Sequence, residues 1–134
     1  MSTYPMTFHG VSEVEKEYAS AIASFPYALP RDFVFPSAPP LEVVEPDAEF
    51  QAGYGFGIAL HCWTEAMEES ILRAGADGDV ATATSLAKLY LDASRSAHFE
   101  QLVFDPDDLT GDFLRAIIER SDFTELRAWR SSVS

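Results

Sequence analysis

The chain has 134 residues, 47% apolar and 13% aromatic, which suits one folded domain and argues against disorder. Twenty-two acids against nine Lys and Arg give a net charge of −13, which repels phosphate backbones and anionic lipid and argues against nucleic acid or a membrane as partner. No apolar run reaches the roughly 18 residues that span a bilayer, and a single cysteine leaves neither an internal disulfide nor a Cys-based zinc cage.

Residues 1–11 lack periodicity and read as a loose lead-in. The first basic residue is Lys16, so no charged, apolar leader is evident, and a soluble, cytoplasmic protein is expected. Seven Arg against two Lys fits a GC-rich, bacterial genome. Ser12 followed by Glu15 has the spacing of a capping box, in which hydroxyl and carboxylate satisfy free amides at a helix start. The spacing predicts a helix over 12–25 with Val14, Tyr18, Ala21, Ile22 and Phe25 on one face, ended by Pro26.

Six of the eight prolines lie between Pro26 and Pro46. Each fixes φ and removes an amide donor, so residues 26–46 are expected as an extended strap, with a possible short strand at 41–45. Phe25, Tyr27, Leu29, Phe33, Val34 and Phe35 make this segment too apolar for a plain linker, and burial against the chain's own core is expected of them.

A second helix is predicted over 48–74, or from a later start if the glycines unwind its first turns, capped by Asp47 and ended at Gly75, with Phe56, Leu60, Trp63, Met67 and Ile71 as its buried stripe. A third follows from its cap at Asp79, with Val80, Ala83, Ala87, Tyr90, Leu91 and Ser94 inward. Residues 99–104 read as either helix end or strand, and 105–112 as a turn. A fourth helix is predicted over 108–120 with Leu109, Phe113, Ala116 and Ile117 inward, and a short fifth after Ser121 carries Phe123, Leu126 and Trp129. The expected fold is all-α: one helical domain over 1–134, a compact bundle of four to five helices with the proline-rich strap.

The stretch Gly53–Tyr–Gly55–Phe–Gly57 fails as a phosphate loop, because its spacing is GxGxG and no Gly-Lys-Ser/Thr follows. Three glycines in a helix cost about 3 kcal/mol relative to alanine. Close approach of a neighbour is the expected reason, with Gly57 as the contact and Gly55 the position that tolerates Ala. His61, Glu65 and Glu68 share a helical face, as metal ligands would, but the Glu-x-x-His order is reversed and no second copy occurs. Only His98 and Glu100 could complete such a set. Neighbours on a helix point about 100° apart, so Cys62 beside His61 is not a nucleophile–base pair. The acids at 105–112 and 77–79 lack the calcium-loop spacing. No catalytic residue, metal or cofactor is assigned.

What remains is acidity. Residues 1–70 carry eleven acids and two bases. Glu42, Glu45, Asp47, Glu49, Glu65, Glu68 and Glu69, with Tyr54 as an aromatic anchor, make the candidate partner-binding surface, beside Val43, Val44, Phe50 and Leu72. The function expected from this pattern is a non-enzymatic interaction module, in its sharpest form an inhibitor or immunity-type protein that neutralises a basic protein. The alternatives are a helical adaptor or self-associating regulator, hence a homo-oligomer, and a small metalloenzyme using His61 and Glu65.

Overall fold

A computed structural model describes residues 8–39, 50–51, 54–96, 99, 105 and 107–133. Among these the chain is all-α, with five helices: α1 (Val11–Ala23), α2 (Tyr54–Ala76), α3 (Val80–Ser94), α4 (Leu109–Arg120) and α5 (Thr124–Val133). Two strands of two residues, β1 (Phe8–His9) and β2 (Phe50–Gln51), pair antiparallel with Phe8 opposite Gln51. The possible strand at 41–45 and the cap at Asp47 lie outside the described residues. The chain divides into two compact units, Met1–Pro26 with Val34–Cys62 and Tyr27–Phe33 with Trp63–Ser134. The N-terminal part of α2 belongs to the first and its C-terminal part to the second.

In the first unit α1 buries Val14, Tyr18 and Ala21, the face its periodicity predicts. Ala59 of α2 completes this core, and Ile22, Phe25, Phe35, Phe56 and Ile58 pack around it half-buried. The Phe25 ring meets Phe35 edge-on at 5.0 Å and stacks on Phe56 at 6.0 Å. The Tyr18 hydroxyl donates to the Pro36 carbonyl at 2.8 Å. The described part of the strap, 26–39, has neither helix nor strand. Its burial is divided: the aromatics pack, whereas Leu29 and Val34 are 46% and 82% exposed, contrary to the expectation for those two. Alternate residues of an extended chain point to opposite sides, so Val34 faces out between Phe33 and Phe35.

In the second unit Trp63, Met67 and Ile71 of α2 are fully buried. Rings of Tyr27 and Tyr90 stand 5.1 and 5.5 Å from Trp63, whose indole N–H donates to the Ala28 carbonyl at 2.9 Å. Helices α3 and α4 pack against each other, as do α4 and α5. Buried Phe113, Leu114, Ala116 and Ile117 form the inner face of α4. Leu109 at its first position is half exposed, contrary to expectation. Val80, at the first position of α3, is likewise exposed.

The helix ends revise three sequence assignments. Gly10, not Ser12, precedes α1, and no side chain caps it. Ser12 is already inside the helix, so the capping box does not form. Gly75 is helical, and the left-handed residue after α2 is Gly78, at φ +77°. What Gly75 provides is space: a Cβ there would come within 2.8 Å of the Phe123 ring. Ser121 ends α4, at φ 53°, rather than starting α5. The expected cap at Asp79 is present, its carboxylate accepting from the Thr82 amide at 3.2 Å and the Thr82 hydroxyl at 2.7 Å.

Ser121 is exposed and sits in a conformation that costs an L-residue about 1 kcal/mol and glycine almost nothing. Ser121→Gly is therefore expected to raise the thermal midpoint by a few degrees. A calorimetric scan checks it, and an unchanged or lower midpoint would mean that the serine side chain contributes more than the strain it imposes.

Candidate functional site

The acids proposed as a partner surface do not share one environment. Glu42, Glu45, Asp47 and Glu49 lie outside the described residues. Tyr54, in the first unit, is 43% exposed. Glu65 and Glu69, in the second, are exposed. Glu68 is 5% exposed, so it is no surface ligand. Helical spacing puts Glu65 and Glu68 on adjoining turns of one face, but that face is covered by neighbours around position 68.

Burial of a carboxylate needs partners, and Glu68 has them on two other helices. The Tyr90 hydroxyl of α3 donates to Oε2 at 2.7 Å. Arg130 of α5 donates to Oε1 at 3.4 Å, and its other terminal nitrogen bonds Glu69 at 2.9 Å. Burial raises the Glu68 carboxyl above its usual range, as does the nearby charge of Glu65, while the Tyr90 bond and Arg130 oppose the rise. Tyr90 is held well above its ordinary value, first by burial and then by the Glu68 charge and hydrogen bond. Such a cluster holds charge in place and ties α2, α3 and α5 together.

A second polar cluster joins the end of α3 to the start of α4. Asp108 accepts both terminal nitrogens of Arg95, at 2.8 and 3.0 Å, and Arg115 at 3.1 Å. Arg115 also reaches Asp112 at 2.9 Å. Hydrogen bonds from Arg95 and then Arg115 hold the Asp108 carboxyl far below the usual range. Gly111 gives this cluster room: a Cβ there would overlap Asp108 and lie 2.7 Å from Arg95. Asp105 accepts from the Leu109 and Thr110 amides at 3.0 Å each. These acids serve turn and cap, as their spacing predicts.

The glycine stretch resolves into opposite environments. A Cβ on Gly55 would lie 2.7 Å from the Tyr18 nitrogen and the Val14 carbonyl oxygen, whereas one on Gly57 would meet nothing within 4 Å. The close approach exists, but on Gly55, the reverse of the expected assignment; Gly53 lies outside the described residues. One Glu17 carboxylate oxygen, from α1, accepts from the amides of Gly55 at 2.7 Å and Phe56 at 3.3 Å. It thereby satisfies two donors at the start of α2.

His61 is exposed and Cys62 half-buried on α2. Burial, with a smaller contribution from Cys62, raises the Tyr18 phenol above its ordinary value. Among the described residues no three His, Cys, Asp or Glu side chains stand together as a metal-binding group, and His98 and Glu100 lie outside those residues. No helix among them is long and apolar enough to cross a membrane. Sequence reasoning missed Glu17, Tyr90 and Arg130 as polar partners; Tyr90 was placed inward, but nothing in the local pattern links it to Glu68, or Glu68 to Arg130.

No family model, curated protein or solved structure matches the chain.

Proposed function

We propose that the protein is a non-enzymatic acidic interaction module of the inhibitor or immunity type, which neutralises a basic protein partner. The observation that carries this reading is the distribution of charge. Within Met1–Pro26 and Val34–Cys62 the sequence places Glu13, Glu15, Glu17, Glu42, Glu45, Asp47 and Glu49 against Lys16 as the one basic residue. In the second unit Arg95, Arg115 and Arg130 are engaged by carboxylates of the chain itself. A surface of this sign accelerates the approach of a basic protein, and Tyr54 offers an exposed aromatic group of the kind that anchors interfaces. Within this reading Glu65, which is exposed, is taken as the contact on α2, while Glu68 is buried against Tyr90 and Arg130 and Glu69 bonds Arg130.

The test is identification of the partner by pull-down from the native host, followed by association and dissociation rates at low and high salt. Glu45→Lys with Glu49→Lys, and separately Glu65→Lys, are expected to slow association more than they speed release. Tyr54→Ala should speed release without lowering the melting temperature. Asp107, which is exposed, is the charge-reversal control and should matter less. An acidic partner, or an association rate indifferent to salt, would sink the proposal.

A further inference from the structure

We draw no further inference here: the strongest candidate, the open notch at Gly57 on α2 between Tyr54 and His61, carries nothing because no observation in the structure shows what covers it.

Discussion

Gly55→Ala should destabilise the protein by about 3 kcal/mol, the upper end of the usual overpacking penalty, while Gly57→Ala two residues away should stabilise it. At position 55 the added methyl meets backbone, the Tyr18 nitrogen and the Val14 carbonyl oxygen at 2.7 Å each. No rotamer change relieves such a clash. Either α1 moves away from the first turn of α2 or the turn distorts, and both weaken the Glu17 hydrogen bonds to Gly55 and Phe56. At position 57 the methyl enters open space, and the change recovers up to about 1 kcal/mol of helix propensity. Chemical denaturation of the two variants measures both signs. Equal effects would mean that α1 and α2 do not approach at Gly55 as described.

Tyr90→Phe is the other large effect, about 2 kcal/mol at neutral pH, the range for a hydrogen bond to a charged group. The ring keeps its packing against Trp63, Phe99 and Phe113, so the loss isolates the hydroxyl. It leaves one oxygen of a buried carboxylate without its donor. The pH dependence gives a second check. The Tyr90 bond lowers the Glu68 carboxyl against the larger upward push of burial, so its removal raises that carboxyl further. A carboxyl raised above its unfolded value binds its proton more tightly when folded, and stability then falls as pH rises through the folded value. The destabilisation by Tyr90→Phe should therefore be greater at pH 7 than at pH 4. A loss of stability independent of pH would show that the Tyr90 hydroxyl does not act through the charge of Glu68.

Periodicity made the buried stripes legible. Val14 and Tyr18 in α1, and Trp63, Met67 and Ile71 in α2, are buried as their spacing requires, because a 3.6-residue repeat dictates which side chains share a face. The Asp79 cap was legible for a similar reason, since its partner Thr82 lies three residues on. Errors arose where the deciding neighbour is distant in sequence. Gly55 and Gly57 are equivalent by local rules and differ only in where α1 lies. Gly75 resembled a helix terminator until Phe123 supplied another reason for its missing side chain. Glu68 read as one acid among several, because its burial depends on Tyr90 and on Arg130, 62 positions away. The Ser12–Glu15 spacing fitted a capping box, yet α1 begins one residue before that serine.

The Glu17 carboxylate at the start of α2 has a kinetic consequence. A helix that supplies its own N-cap can satisfy its first amides as soon as it forms. Here part of that role falls to a side chain of α1, 38 residues earlier, so it is available only after α1 has folded and docked. The Glu17 bonds therefore tie the first turn of α2 to the docking of α1. In native-state hydrogen exchange the Gly55 and Phe56 amides should report the separation of α1 from α2, and their protection should fall together under mild denaturant instead of following the gradual fraying of a helix end.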